Sequence, residues 1–170
     1  RVPMLRIIES GQLIWNIEGI ATGCLSKKVI THLLNFVQKG RYAHESGGVL
    51  LGYIDSDTNG LLVENATFPG SGDCSSRTSF YRSSRHQEDA ESWISLTNGK
   101  GTHLGLWHTH PELTPTPSDI DMADYNNVIK NATLNSGLIY IIIGTQELKI
   151  WYGIKPCQLI PVGTISLDKL

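Results

Sequence analysis

The chain has 170 residues, a net charge of −2 from 14 basic and 16 acidic side chains, and 40% hydrophobic against 18% charged residues. One soluble globular domain over 1–170 is expected, since a chain of this size buries roughly 70% of its unfolded surface. The even charge balance excludes a protein that works by blanket neutralisation of phosphates, so nucleic acid is not an expected partner.

The longest apolar run, around Leu138 to Ile143, is far too short to cross a membrane, and no basic-then-apolar leader opens the chain. Cys24, Cys74 and Cys157 are odd in number and far apart, with no Cys-x-x-Cys. That pattern indicates neither a disulfide framework nor a thiolate zinc knuckle, and a reducing, cytoplasmic setting is expected.

Leu5 to Ile20, broken at Gly11, reads as a hairpin or two short strands. Ser26 is placed to cap a helix with Val29, Ile30, Leu33, Leu34 and Val37 at helical spacing and Gly40 as its stop. Gly47 to Ile54 reads as a buried strand, Asp55 to Gly60 as a turn and Leu61 to Ala66 as the returning strand. Pro69 to Arg77 is rich in Gly, Ser and Asp and reads as a surface loop. A helix is predicted over Ser84 to Leu96, stopped at Asn98-Gly99, and a short strand over His103 to Trp107. Three prolines between Pro111 and Pro117 forbid both a regular helix and a central strand. Ser118 opens a helix with Ile120, Met122, Ala123, Val128 and Ile129 available for its buried side. Leu138–Ile143 and Leu148–Tyr152 form a predicted hairpin, with a last strand near Ile160. The class is α/β (α+β), a mixed central sheet flanked by about three helices.

His108-Thr109-His110 follows directly on a strand, where residues i and i+2 share a face, so both imidazoles can reach one ion. Asp121 as third ligand would leave a fourth tetrahedral position for water, the arrangement of a catalytic rather than a structural zinc. One zinc ion with its bound water is therefore expected, since the metal lowers the water pKa from about 15.7 to about 7. His-x-His alone is usually structural, and Ser118-x-x-Asp121 alone matches a helix-capping signature. Their conjunction, with the proline segment holding the path between them, favours the metal. Glu45 precedes the Gly47-Gly48 strand. An acid there is normally solvated, but zinc hydrolysis needs a non-ligand carboxylate to carry the proton. His44 competes for that role.

These residues resemble the JAMM (JAB1/MPN/Mov34) metalloprotease family. Its signature is an upstream Glu, then His-x-His-Pro, a Ser seven residues beyond the Pro and an Asp three further. Glu45, His108-Thr109-His110-Pro111, Ser118 and Asp121 match it without departure. Gly47 to Gly52 is similar to the strand that follows the family's Glu, so a single MPN/JAB-like domain is implied. Trp107 to Glu112 and Phe80-Tyr81-Arg82 look most like compact bacterial JAB peptidases of integrative elements and antiphage operons such as CBASS. The resemblance implies removal of a ubiquitin-like protein from an amide or isopeptide linkage, by deconjugation or precursor processing. Activating- and conjugating-enzyme homologues or their targets are the implied partners. Residue by residue, it implies His108, His110 and Asp121 on zinc, Glu45 as general base and acid, and Ser118 as oxyanion donor. Ser118 thus has three readings: cap, oxyanion donor, or both in different rotamers. Strand addition of an extended tail at the Gly70–Arg85 loop is a further expectation. Arg77, Arg82 and Arg85 either meet acidic groups on the substrate or, as favoured, are simply solvated.

Three rivals remain. A non-catalytic MPN scaffold would lack the ligands or the Glu, and a hydrolase of small amide or cysteine conjugates would share them. A nucleobase deaminase needs His-x-Glu and Pro-Cys-x-x-Cys, whereas Pro156-Cys157 runs on into Gln158-Leu159-Ile160.

Overall fold

The computed structural model describes residues 4–132, 137–154 and 158–170; Pro156-Cys157 lies outside them. The opening stretch forms β1 (Met4–Ile7) and β2 (Leu13–Ile17), the hairpin predicted over Leu5 to Ile20, and β3 (Ala21–Leu25) extends it to a meander. Gly11 takes φ +84° in the first turn, a conformation open to Gly at little cost. Helix α1 runs over Lys27–Leu34, with Ser26 Oγ accepting the Val29 N–H at 3.3 Å. It buries Val29, Ile30 and Leu33 and ends six residues before Gly40. Val37 reaches the same core from beyond the helix end.

Strands β4 (Gly47–Ile54), β5 (Leu61–Ala66) and β8 (Thr102–Thr109) follow the predicted runs, β8 extending through His108 and Thr109. Between β5 and β8 lie a small hairpin, β6 (Cys74–Ser75) with β7 (Phe80–Tyr81), and helix α2 (Arg85–Leu96). The expected Pro69–Arg77 loop therefore contains a strand. Helix α3 (Asp119–Asn131) leads on to β9 (Leu138–Ile143), β10 (Glu147–Ile154) and β11 (Gln158–Ser166). The main sheet has the order β1-β2-β3-β5-β4-β8-β9-β10-β11. The β3/β5 and β8/β9 pairs are parallel and the others antiparallel, which makes it mixed as expected.

Both faces of this sheet are covered, and β9 shows how. Ile139, Ile141 and Ile143 join the cluster that includes the α1 residues, while Leu138, Tyr140 and Ile142 join the cluster with Ala90 of α2 and Tyr125 and Ile129 of α3. That is period-2 alternation with neither side facing water, and each buried Ile contributes roughly 1.5–3 kcal/mol of transfer free energy. One expectation fails here. The first turn of α3 points Ile120 and Ala123 outward, Ile120 at 61% exposure, and burial falls on Tyr125 and Ile129. The helix enters the sheet only at its second half; its N-terminal turn stands at the mouth of a cleft.

Candidate metal centre

The strand phase in β8 is set by a bulge. Leu50 pairs with Gly105 and Leu51 with His103, so Leu104 is left over. Gly105 lies so close to β9 that a Cβ would come within 1.7 Å of the Ile139 carbonyl oxygen. Only Gly fits, and beyond it Leu106 packs with the α2/α3 cluster while Trp107 packs on the α1 side. A bulge beside a site is a common way to re-aim a side chain. Thr109 continues the α1 side, its Oγ1 donating to Gln38 Oε1 at 3.0 Å, and His108 and His110 turn toward α3.

The two imidazoles converge. His108 Nε2 and His110 Nε2 are 2.8 Å apart, and Asp121 Oδ2 lies 3.2 Å from the first and 2.9 Å from the second. Ligands about 2.0–2.1 Å from a tetrahedral zinc would sit roughly 3.3 Å from one another. The outer nitrogens are held from behind. His108 Nδ1 meets the Tyr140 hydroxyl at 3.0 Å and His110 Nδ1 meets Glu112 Oε1 at 2.8 Å. With Nδ1–H donating outward in each ring, both Nε2 lone pairs turn inward, the tautomer a metal requires. Tyr140 is itself stacked on Tyr125 at 4.6 Å between ring centres, and burial keeps its phenol neutral by pushing its pKa up.

Asp121 arrives through a capping box. Ser118 Oγ accepts the Asp121 N–H at 3.1 Å, and the Ser118 N–H donates to Asp121 Oδ2 at 2.9 Å. The oxygen that faces the histidines is thus oriented by the helix start. Of the three readings of Ser118, the cap is realised; because its oxygen is the acceptor there, its hydroxyl proton stays free to donate without a change of rotamer. The proline segment leading to it is stapled to the β9–β10 turn by the Thr145 N–H to the Glu112 carbonyl at 2.8 Å and the Glu147 N–H to the Leu113 carbonyl at 3.2 Å. Buried Pro115 completes the rigid path that its sequence suggested.

Glu45 is 6% exposed, not solvated, and its carboxylate lies with His108 and His110 in a group whose ligand atoms are all within 4.8 Å. Its segment is tied to the histidine strand by the Ser46 N–H to Thr109 Oγ1 and the Thr109 N–H to the Ser46 carbonyl, both 2.9 Å. Gln38, buried at the end of the α1 region, links the Ala43 and Arg77 carbonyls to Thr109. Gly47 pairs with His108, and a Cβ there would come within 2.9 Å of the Trp107 carbonyl oxygen, so only Gly permits this approach. His44 is exposed and bonded to Ser75 Oγ, away from the imidazoles.

The carboxylates divide by environment. Burial raises the Glu45 pKa to about 7, with His110 opposing and Asp121 and Glu112 adding to the rise. Burial also works to raise Asp121, but while no metal takes the inner lone pairs the Nε2 atoms of His108 and His110 can share a proton with it, which outweighs burial and holds this carboxyl well below the usual range. Burial lowers His108; for His110 the bonds to Asp121 and Glu112 overcome burial and raise the pKa. One carboxylate held ionised thus sits among the imidazoles, with a second pushed toward neutrality beside it.

A cleft of about 380 Å³, lined in part by Phe80, Tyr81, Arg82, Ile120, Asp121 and Asp124, opens beside this centre. Arg82 makes a bidentate pair with Asp124 at 2.9 and 3.0 Å, Arg85 bonds Asp89, Asp73 and the Phe68 carbonyl, and Arg77 bonds the Gly40 and Arg41 carbonyls. Arg82 and Arg85 are half-buried internal ties, which corrects the expectation of simple solvation for these two, while Arg77 is exposed as expected. Tyr140 and Gln38 were missed in the sequence. A tyrosine in an otherwise aliphatic strand was a usable signal for the first; nothing local marks the second.

A family model described as prokaryotic homologs of the JAB domain matches residues 26–152. A CD-NTase/cGAS isopeptidase of Vibrio cholerae is 30% identical over 152 residues, 89% of this chain and 93% of the relative. Proteins of the same name are 30% identical in Escherichia coli, over 77% of this chain and 80% of theirs, and 32% identical in Pseudomonas aeruginosa, over 74% and 78%. The solution structure of protein DSY2949 from Desulfitobacterium hafniense superposes with a TM-score of 0.55 at 23% identity, covering 84% of this chain and 87% of that one, a likeness of fold. Among the described residues no helix is long and apolar enough to cross a membrane. With a buried histidine–carboxylate group able to hold a metal ion, this chain belongs to the JAB family of hydrolases in its prokaryotic branch.

Proposed function

We propose that the chain is a zinc-dependent isopeptidase that hydrolyses the amide linkage following the C-terminus of a ubiquitin-like protein. The observation that carries this is the convergence of His108 Nε2, His110 Nε2 and Asp121 Oδ2 with Glu45 beside them. The donor set, two imidazoles that bind metal in their neutral form and an ionised carboxylate, suits zinc. Asp121 is assigned as third ligand because its oxygen is within 3.2 Å of both ring nitrogens, and Glu45 as proton carrier because its buried carboxylate lies beside both imidazoles, where burial raises its affinity for a proton.

Zinc bound there supplies a Lewis acid for the scissile carbonyl and makes water acidic enough to ionise near neutral pH. Glu45 takes the proton of the attacking water and returns it to the leaving amine nitrogen. The free Ser118 hydroxyl proton donates to the carbonyl oxygen as negative charge develops there. The cleft between the Phe80–Ser84 stretch and the first turn of α3 admits the extended tail, with exposed Tyr81 and Ile120 at its rim.

The relatives named above are isopeptidases of CD-NTase/cGAS, and we extend that target class to this chain, acting in the cytoplasm in antiphage defence with 1–170 as its catalytic domain. A homologue of an activating or conjugating enzyme would make the bond that is cut.

The test is cleavage of a ubiquitin-like protein fused to a reporter, beside short peptide amides and cysteine conjugates. Expected is cleavage of the fusion by the zinc-loaded protein, lowered about 10²–10⁴-fold in Glu45→Gln. Cleavage of the small amides alone would replace the substrate class, and full activity in Glu45→Gln would remove the base assignment.

A further inference from the structure

The two histidines are backed differently. His108 leans on a buried neutral phenol, whereas His110 Nδ1 faces a carboxylate, Glu112 Oε1, at 2.8 Å. Glu112 is not simply a side chain that happens to swing near. It lies two residues beyond His110, its carbonyl is held by the Thr145 N–H at 2.8 Å, and the approach of the β9–β10 turn depends on Gly144. A Cβ on Gly144 would stand 2.6 Å from the Glu112 carbonyl oxygen and 2.8 Å from that of Leu113. The segment bearing Glu112 is therefore fixed against the sheet, while its carboxylate remains half in water.

We propose that Glu112 is a positioning residue that holds the His110 ring in its metal-binding tautomer, resting on the zinc reading above. His110 stands where the chain leaves β8 for the proline segment, and its outer nitrogen faces a half-exposed side chain rather than a buried phenol. Without an acceptor at Nδ1 the ring can exchange tautomers or rotate, placing an N–H where the lone pair must be. The Glu112 oxygen accepts from Nδ1–H and closes off that alternative, as outer acceptors do for metal-bound histidines. Glu112 itself touches neither the metal nor the reacting atoms.

Zinc affinity measured on the intact chain by competition with a chromophoric chelator tests this, with no substrate present. Expected is a loss of about 10–100-fold in Glu112→Ala, with Glu112→Gln, which keeps an acceptor oxygen, recovering most of it. The metal-free melting temperature should fall only slightly in both, since the Glu112 side chain is half-exposed and water can take the place of its carboxylate. A loss below about fivefold in Glu112→Ala, or a Gln variant as weak as the Ala one, would overturn the proposal. If the unsubstituted chain failed to take up zinc, the metal reading would fall and this inference with it, a result distinct from tight zinc binding that ignores Glu112.

Discussion

Two buried clusters in this molecule are built from the same residue types and differ in what they can do. In one, His86 stands between Asp73 and Thr67: Nε2 lies 3.0 Å from Asp73 Oδ2 and Nδ1 2.6 Å from Thr67 Oγ1, which also accepts the Val49 N–H at 2.8 Å. Asp73 accepts the Ser83 and Gly70 N–H groups as well. Thr67 O–H donating to Nδ1 and Nε2–H donating to Asp73 satisfy every group, so the cluster ties the 68–85 stretch to β4 and has nothing left to offer a ligand. In the other, His108, His110 and Asp121 turn their donor atoms toward one point and find their hydrogen-bond partners behind. A buried imidazole–carboxylate pair is therefore no sign of chemistry; convergence of lone pairs is.

The sharpest way to break that contrast is to remove one carboxylate from each. Asp121→Ala should abolish stoichiometric zinc and with it turnover, read by metal analysis of the purified protein. Asp73→Ala should keep zinc and lower the unfolding free energy by about 1–3 kcal/mol, because the buried His86 Nε2–H and the half-buried Ser83 N–H lose their acceptor. Zinc retention in the first, or zinc loss in the second, would erase the distinction. Ser118→Ala probes the overlap of cap and catalysis. A loss of about 10²–10³-fold in kcat is expected from the missing oxyanion donor, against only about 1 kcal/mol of stability from the missing cap. Equal modest losses in both would leave the cap alone.

Acidity separates the clusters with the smallest effect. Glu45 must be ionised to accept a proton, so kcat/KM should fall as pH falls through its pKa. That pKa is raised to about 7 without metal, and a neighbouring dication would lower it, which puts the acid limb below pH 7. For Asp73, burial works to raise the pKa, but the Ser83, His86 and Gly70 hydrogen bonds hold it well below the ordinary value. Its stabilising contribution is present above the unfolded value near about 4 and is lost only as pH falls below that. Between pH 5 and pH 7 a kcat/KM profile should move while the Asp73 contribution does not. A flat profile would point away from Glu45.

Much of the architecture was legible because apolar runs such as Gly47–Ile54 and Leu138–Ile143 are buried on both faces and bounded by turns. The helix faces were less so. Ile120 and Ala123 suit a buried stripe by spacing, yet the first turn of α3 has no sheet beneath it, and Tyr125 replaces them in the core. The arginines of the 77–85 stretch looked free because their partners, Asp124 among them, lie up to 42 residues away in sequence.

The sequence by itself brought three candidate ligands within reach of one another, since His108 and His110 share a face through the two-residue period of a strand and Asp121 is aimed by a cap formed three residues earlier. Those are local geometries, set by short stretches of chain. Only the tertiary structure decided that Glu45 is buried and beside them, because that follows from pairing of Ser46 with Thr109 across 63 residues. It also decided that Tyr140 and Glu112 back the two rings, and that His86 and Asp73, the same chemistry elsewhere, close on each other instead of on a ligand.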